Sequence, residues 1–529
     1  MDAPRTVQHY IDETPIWRDG TLLPSTPLTW MQWRIWMLAS AGKFFEGMVV
    51  FMTGVALPLL AAEFSSKGAP IESWQKGVIG GASLLGILIG ATALGSLADK
   101  YGRKTMFIAE MLVFLVFLTA ILFSPGWIWL AVCLLGMGLA LGCDYPTAHL
   151  VISESIPSNV RGRLILSAFG FQAVGALVGT LVGAVLLQFD PATGAWRWMY
   201  AAALLPAIVV TIGRFFIVDS AHFLVTRGRI DEAERALHRL LRRNPTYPKG
   251  VKLERPAVEA KSGEAYRENR GRFIDLFNSR NRRATLLASV PWFLQDLGTY
   301  GIGIFTPTIL ASMFGGKKDM ADSMNVATLV FNDLQAAKGA AFIDLLLLAG
   351  IVVAVLLADR VGRIRLQVVG FVGCAAGLAL AAIAAGYEQT TWGFVMIFIG
   401  FMLFSFMTNM GPNAMTYLVA GEVFPTHIRG KGAGFAASFA KIGAVTTAFL
   451  FPVLLDSIGT QLLLIALVGT SLLGAVLTWL LRIETRGVNL ETIGGEHASH
   501  LHHPRHGRRA AHAQPGAAFA DEPRELANV

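Results

Sequence analysis

Runs of about 20 apolar residues recur along the whole chain, and each is long enough to cross about 30 Å of hydrocarbon as an α-helix. Of the 529 residues, 54% are hydrophobic and only 15% are charged, whereas about a quarter of an average soluble domain is charged. Because backbone groups in lipid must find hydrogen-bond partners within their own segment, we predict an all-α polytopic membrane protein. Twelve transmembrane helices are expected, at about 33–60, 77–98, 105–124, 128–151, 163–188, 197–217, 285–312, 337–358, 365–386, 392–418, 432–455 and 460–482.

A polar stretch at 218–284 divides the chain into two sets of six predicted spans. We therefore expect a six-helix bundle at 33–217 and a second six-helix bundle at 285–482, with the stretch at 218–284 as a loop between them. The segment 1–32 precedes the first bundle. The tail at 483–529 is rich in Ala, Pro, Arg and His, a composition that predicts disorder. Its histidines could bind metal, but low complexity explains them more simply, and we predict no metal site and no cofactor.

The formal net charge of +8 lies between the apolar runs, where it decides orientation in the membrane, and this disfavours nucleic acid as a partner. Basic residues follow spans 2, 4, 8 and 10 and fill the central loop, while the alternate connections are nearly neutral. The positive-inside rule then predicts that both termini and the central loop are cytoplasmic. The abundance of Ala, Gly and Arg suggests a bacterial inner membrane, and a monomer is expected.

Two short motifs occur once in each half. The first reads Glu154, Pro157 and Arg161-Gly162, and it returns 268 residues later as Glu422, Pro425 and Arg429-Gly430. The second places Asp99 before Gly102-Arg103 and returns as Asp359 before Gly362-Arg363. Both repeats predict an internal duplication, so that the two bundles form pseudo-repeats.

These paired motifs carry a resemblance. The Gly-x-x-x-Asp-x-x-Gly-Arg element resembles the signature of the major facilitator superfamily, and the Glu...Pro...Arg-Gly element is similar to its sugar-porter-like branch, which includes proton-coupled phosphate and metabolite symporters. The resemblance covers about 35–490 and implies transport by alternating access. The chain departs from the branch at Val132–Leu134, where an Arg is usual, and at Val218–His222, where a Pro-Glu-Ser-Pro-Arg box is eroded.

The charged residues of the two motifs are expected at cytoplasmic helix ends, where a carboxylate can pair with an Arg or with backbone donors of a neighbouring helix. Such contacts would latch the two halves together in one state and part in the other. We therefore predict a gating role, rather than contact with the solute, for Asp99, Arg103, Glu154, Arg161, Asp359, Arg363, Glu422 and Arg429.

Three carboxyls inside predicted spans are candidates for proton coupling: Asp144, Glu46 and Asp296. A charged side chain at membrane depth is unfavourable by roughly 2.5 to 3.5 kcal/mol on insertion scales, so such residues are candidates for function. Asp144 has no basic neighbour in the sequence, and its alternative role is a hydrogen bond between helices. Glu46 lies three residues after Lys43, and its alternative role is a local ion pair on one helix face.

A stripe in span 7 places Trp292, Asp296 and Tyr300 at intervals of four residues, which puts them on one helix face. The stripe resembles a phosphate-symporter pattern, and the resemblance adds Gln172 to the cavity. Lys441 interrupts an apolar run and could attract an anion or balance Asp296, and Pro412 is expected to bend or break span 10 beside Asn413. The predicted substrate-binding set is Tyr145, Gln172, Trp292, Asp296, Tyr300, Asn413 and Lys441.

The predicted function is secondary transport: symport of a small solute with protons across the lipid bilayer, with inorganic phosphate or a small organic anion ahead of a sugar. An anion suits the site only if a carboxyl is protonated, and this requirement would couple the two fluxes. Val49 and Met48 stand where phosphate symporters carry an acid and a Tyr, which keeps an organic acid open. The alternatives are a sugar or other metabolite porter, an uncoupled facilitator or exporter, and a nutrient receptor. No enzyme motif is present in the sequence.

Overall fold

The computed structural model of the chain describes residues 5–13, 28–66, 70–94, 97–242, 251–253, 272–315, 326–387, 390–425 and 428–486. The predicted disordered tail beyond residue 486 and its histidines lie outside the described residues. So do the sequence segments 243–250 and 254–271 of the central loop.

The described part of the chain is helical almost throughout. Its α-helices, in chain order, are α1 Val7–Asp12, α2 Trp30–Ser66, α3 Ser73–Ile89, α4 Leu97–Tyr101, α5 Arg103–Leu122, α6 Trp127–Ser155, α7 Ser158–Phe189, α8 Ala195–Phe215, α9 Ala221–Thr226, α10 Ile230–Leu241, α11 Arg282–Gly315, α12 Val326–Val361, α13 Arg363–Ala384, α14 Thr391–Met410, α15 Pro412–Glu422 and α16 Arg429–Leu481. A π-helical turn, Gly90–Leu94, extends α3, and 3-10 turns occupy Phe273–Phe277 and Ala385–Tyr387.

Within the described residues, ten helical stretches are long and apolar enough to cross a membrane. One of them is α16, which turns at Gly459, where a φ of 77° breaks the helical path between the two last predicted spans. Helix α11 coincides with the predicted seventh span and completes the set. The all-α polytopic architecture with twelve spans is thereby confirmed.

The two halves repeat the same packing. In the first half α2 packs on α7, α3 on α6, and α5 on α6 and α8; in the second half α11 packs on α16, α12 on α14, and α13 on α14 and α16. Each pair in the first half has its counterpart in the second, as the internal duplication predicts. Across the halves, α3 packs on α16, α7 on α12 and α2 on α11.

The terminal side is the face of the molecule that carries both ends of the described chain, and the opposite side is the other face. On the terminal side, α1, α9 and α10 pack against the ends of α2, α6 and α7 around an apolar cluster that includes Tyr10, Ile156 and Leu237. Asp12 accepts hydrogen bonds from the backbone N–H and the hydroxyl of Ser158, at 2.7 and 2.9 Å, and so caps the first turn of α7. Helices α1, α9 and α10 therefore pack with the first half.

On the opposite side, helices of the two halves come into close backbone contact at glycine residues. A Cβ atom on Gly77 of α3 would lie 2.2 Å from the carbonyl oxygen of Phe449 in α16, and one on Gly54 of α2 would lie 2.0 Å from the carbonyl oxygen of Ile304 in α11. Ser73 also donates a hydrogen bond to Asp456 across the same boundary. Only glycine allows this distance between backbones, so the opposite side is closed in this conformation.

His222, on α9, is a titratable side chain among the charged residues of the terminal side. The half-buried imidazole packs near Glu154, Arg161 and Arg103, and burial lowers its pKa below the usual value of 6.5. Because the unfolded chain then binds the proton more readily, the stability of the folded protein falls as the pH drops below about 6.5. We expect the thermal midpoint in detergent to fall more between about pH 7 and about pH 5 for the wild type than for His222→Gln. Equal losses in both proteins would contradict this role of His222.

Candidate functional site

A chamber lies between the two halves and is the candidate binding site. Its walls come from α2, α3, α6 and α7 of the first half and from α11, α15 and α16 of the second. All seven residues of the predicted substrate-binding set line it. The lining of this central chamber is Lys43, Ile87, Ala91, Tyr145, Phe169, Gln172, Trp292, Asp296, Tyr300, Asn413, Ala437 and Lys441.

An ionic cluster centred on Glu46 borders the central chamber. Its Oε2 lies 2.5 Å from the Nζ of Lys43, one turn earlier on α2, and its Oε1 lies 3.0 Å from the Nζ of Lys441 on α16. The hydroxyl of Tyr300 donates to Oε1 at 2.9 Å, and the amide of Gln172 donates to that hydroxyl at 2.8 Å. The local ion pair that the sequence suggested is therefore present, and a second ammonium from the other half joins it.

Asp296 is the second carboxyl beside Lys441, and its ion pair with the ammonium is longer than that of Glu46. Its Oδ2 lies 3.8 Å from the Nζ of Lys441, which is nearer to Glu46. Among the described residues this oxygen has no hydrogen-bond partner, although the side chain is buried. A buried carboxylate oxygen without a donor is unfavourable, so Asp296 is the carboxyl of the cluster that would gain most from a proton or a bound solute.

Aromatic rings form the terminal end of the chamber. Phe169 of α7 and Tyr417 of α15 stack across the halves with centroids 4.5 Å apart and an angle of 16° between their planes. Tyr417 also meets Tyr145 and Trp292 edge to face, at 6.2 Å in both cases. The ammonium of Lys43 lies 4.0 Å from the centroid of Tyr145, at a distance typical of a cation–π contact.

A break in span 10 positions Asn413. Helix α14 ends at Met410, and Pro412 opens α15, so the predicted effect of Pro412 is confirmed. Asn413 donates to the side chain of Asn409 at 2.6 Å, and Asn409 donates to the carbonyl of Leu347 at 2.8 Å. This chain of amides fixes the side chain of Asn413 at the wall of the chamber.

Asp144 has a partner that the sequence did not indicate. Its Oδ1 lies 2.5 Å from the Nη1 of Arg214 on α8, and the Arg214 side chain has no exposed surface. The guanidinium also donates to the carbonyls of Phe107 and Leu38, at 2.6 and 3.2 Å. A basic residue of span 6 therefore pairs with the carboxyl of span 4.

The surroundings of Asp144 form a second cavity toward the terminal side, which we call the Asp144 chamber. Lys43, Tyr145 and Phe169 line both chambers, and Glu46 lines the second. A Cβ on Gly42 would lie 1.7 Å from the Oδ2 of Asp144, so a larger residue there would displace the carboxylate. Asp144 therefore faces the Asp144 chamber rather than the central chamber.

The predicted gating residues form matching pairs at the terminal helix ends. Arg103 binds Glu154 at 3.0 Å and Arg363 binds Glu422 at 3.1 Å. The two glycines before these arginines share one conformation, with φ of 98° and 103°, that glycine adopts readily. Arg161 and Arg429 donate to the carbonyls of the residues five positions earlier, at 3.1 Å in both cases.

The gating pairs differ from the expectation in one respect. Arg103–Glu154 and Arg363–Glu422 each lie within one half in this conformation. In the first half the start of span 3 packs against the end of span 4, and in the second half the start of span 9 packs against the end of span 10. Across the halves, Arg163 approaches Asp359 at 3.6 Å in an exposed pair. Asp359 also pairs with Arg363 at 3.0 Å, whereas the side chain of Asp99 lies outside what the structure describes.

Sequence reasoning missed two cations of the site. Lys43 was considered only as a neighbour of Glu46, and its place on both chamber walls depends on how α2 meets α6 and α7. Arg214 had a detectable signal, since it is a basic residue inside a predicted span, but its partner could not be identified without the packing. Among the described residues, no cluster of His, Cys, Asp and Glu is arranged to hold a metal ion.

The sequence also matches a known protein family. The model of the family described as "Sugar (and other) transporter" matches residues 35–496. The Escherichia coli inner membrane metabolite transport protein YgcS is 29% identical and is covered over 97% of its length by 90% of this chain. A Schizosaccharomyces pombe protein named as a "putative inorganic phosphate transporter" is 28% identical, with 88% of each chain covered.

Solved structures give the same fold. The xylose transporter XylE from Escherichia coli, in a partially occluded inward-open conformation, superposes with a TM-score of 0.70 at 17% identity, over 87% of this chain and all of XylE. This likeness concerns the fold, which is the major facilitator fold. The chain therefore belongs to the sugar (and other) transporter family and is a multi-pass membrane transporter.

Proposed function

We propose that the protein is a proton-coupled symporter of a small anion, either inorganic phosphate or a small organic anion. The observation that carries the proposal is the cluster in the central chamber, where Lys441 of the second half binds Glu46 of the first. Two ammonium groups and two carboxyls face one another there, so an incoming anion finds a cationic site only when negative charge is removed from the wall. Protonation of a carboxyl does this, and it couples the two fluxes.

Asp296 and Asp144 are the proposed proton carriers. Asp296 is held at 3.8 Å by a single ammonium, so a proton there removes a charge that would repel the solute. Asp144 lies in the adjoining chamber, where its pairing with Arg214 would break or reform with its charge. Glu46, the third carboxyl predicted to carry a proton, has its charge balanced by two ammonium groups, which favours a role as counter-ion.

The neutral part of the chamber supports recognition of an oxyanion. Tyr145, Gln172, Trp292, Tyr300 and Asn413 offer hydroxyl, amide and indole donors from both halves. Solute bound among them would contact both halves, and rocking of the halves about it would expose it first to one side and then to the other. The named phosphate transporter among the relatives agrees with this class of solute.

A neutral sugar is the second candidate, because the same amide and indole groups bind hydroxyls and the similar fold of XylE carries xylose. One observation weighs against it. Gln295, the single glutamine of span 7 beside Asp296, donates to Thr299 at 2.6 Å and does not line the central chamber. An uncharged solute would also not require the two lysines in the wall of the chamber.

The proposal includes the setting of the transporter. We propose a monomer in a bacterial inner membrane, with the terminal side in the cytoplasm and the paired motifs at Arg103 and Arg363 as the cytoplasmic gate. Exposed Arg163 and Asp359 would part when this gate opens.

The test is proton movement that depends on solute. Purified protein in liposomes with an internal pH dye is given phosphate, benzoate or xylose. We expect an anion, and not xylose, to carry protons inward. In Asp296→Asn this proton movement should fall at least about tenfold, while exchange of labelled anion persists, because the neutral side chain imitates the protonated carboxyl.

Asp333→Asn is the matched control, since Asp333 is a buried carboxyl of α12 that lines neither the central chamber nor the Asp144 chamber. It should behave like the wild type. Proton movement with xylose alone, or undiminished proton movement in Asp296→Asn, would contradict the proposal.

A further inference from the structure

We infer that Glu46 is an internal substitute for the transported anion: in the empty transporter its carboxylate occupies the place between Lys43 and Lys441 that the solute's oxyanion takes when it binds. The inference rests on the proposed function and assigns a role to Glu46 other than proton carriage. The chemical class it defines is an oxyanion, carboxylate or phosphate, small enough to lie between the two ammonium groups.

The carboxylate of Glu46 already has the surroundings that such an anion needs. Each oxygen faces one ammonium, Oε2 at 2.5 Å from Lys43 and Oε1 at 3.0 Å from Lys441. The hydroxyl of Tyr300 donates at 2.9 Å, and Gln172 approaches at 3.5 Å. Three of these four partners belong to the predicted substrate-binding set, and all four line the central chamber.

Charge balance explains why an internal anion is required. The side chains of Lys43 and Lys441 are only 12% and 13% exposed, so their charges have little contact with water. Two desolvated ammonium groups without an anion would repel each other and would leave their desolvation uncompensated. A transporter whose solute has left must still return to the side of uptake. Glu46 neutralises the lysines during that return.

Glu46 borders a second cavity into which its side chain can rotate when an anion binds. The glutamate lines the Asp144 chamber, whereas Lys441 and Tyr300 line the central chamber. Lys43 lines both chambers. Rotation of the Glu46 side chain toward the Asp144 chamber would release Lys441 and keep the pairing with Lys43. The ion pair between Glu46 and Lys441, which joins the two halves directly, would then be replaced by a solute that contacts Lys43 of the first half and Lys441 of the second.

The first experiment is Glu46→Gln, examined by anion binding and by two kinds of flux. Binding of phosphate and of benzoate is measured by calorimetry. Because the competing carboxylate is gone, the anion that the wild type binds should bind about tenfold more tightly to Glu46→Gln. Exchange of labelled anion across liposomes should persist, because the loaded transporter is neutral. Net uptake should be lost, since the empty transporter can no longer return.

A second variant separates this role from proton carriage. In the double variant Lys43→Gln, Glu46→Gln the remaining Lys441 faces Asp296, and the charge balance of the empty site is restored. We expect net uptake to return at high concentrations of the solute, with weaker binding because only one of the two ammonium groups remains. A proton carrier would not be rescued by removal of a lysine. Glu63→Gln is the control, because Glu63 is a buried, paired carboxylate on the same helix that lines neither chamber.

The outcomes are distinct. Unchanged anion affinity in Glu46→Gln, or a double variant that still lacks net uptake, overturns the inference while the proposed symport stands. A folded wild type that binds neither phosphate nor benzoate and moves xylose instead overturns both. Response to phosphate alone or to benzoate alone identifies which oxyanion the site takes, and in either case tighter binding by Glu46→Gln supports the inference.

Discussion

Gly77→Trp should abolish solute uptake while leaving the protein folded and able to bind its solute. Gly77 of α3 meets the backbone of Phe449 in α16, where even a Cβ would lie 2.2 Å from the carbonyl oxygen. An indole in this position holds the halves apart on the opposite side, and we estimate that it raises the free energy of the closed state by about 3 kcal/mol, at the upper end of overpacking effects. That difference lowers the population of the closed state about 150-fold.

The measurement is uptake of labelled solute into liposomes, accompanied by stabilisation of the detergent-solubilised protein by the same solute. Gly194→Trp is the control, because Gly194 lies on the same side with no atom within 4 Å of its Cβ position. It should transport normally. Uptake by Gly77→Trp at the rate of the control would show that closure at this glycine is not part of the cycle.

Arg214→Leu should destabilise the protein by about 3 to 5 kcal/mol, because it leaves the carboxylate of Asp144 buried without its cation. The free energy of unfolding in a mild detergent is the quantity to measure. The double variant Asp144→Leu, Arg214→Leu should recover most of the loss, since an apolar pair replaces the ionic one.

Arg197→Leu is the comparison for this effect. Arg197 also pairs with a buried carboxylate, that of Glu63 at 2.6 Å, but its side chain is 25% exposed. Water can reach this pair, so we expect a smaller loss of stability. Equal losses in the two single variants, or a double variant no more stable than Arg214→Leu, would argue against a buried ion pair as the main contribution of Arg214.

The spans and the two repeats could be predicted because they depend on local properties of the sequence. An apolar run long enough to cross a bilayer has few alternatives to a helix, and a motif repeated at a constant offset implies two similar bundles. The break beside Asn413 was predictable for the same reason, since Pro412 cannot continue the preceding helix.

Contacts between distant helices were harder to predict. The stripe of Trp292, Asp296 and Tyr300 follows from helical spacing, and all three line one chamber. The pairing of Asp144 with Arg214 joins residues 70 positions apart and depends on how α6 and α8 rotate about their axes. The pairing of Arg103 with Glu154 joins residues 51 positions apart and depends in the same way on where two helix ends meet.

The central claim is that the chamber at Glu46, Asp296 and Lys441 moves an anion together with protons. Uptake of labelled phosphate by the wild type in liposomes, with the interior more alkaline than the exterior, tests it most directly. We predict accumulation above the external concentration, which disappears without the pH gradient or after addition of a protonophore. Phosphate that equilibrates at the same rate with and without the gradient, while xylose accumulates, would contradict the claim.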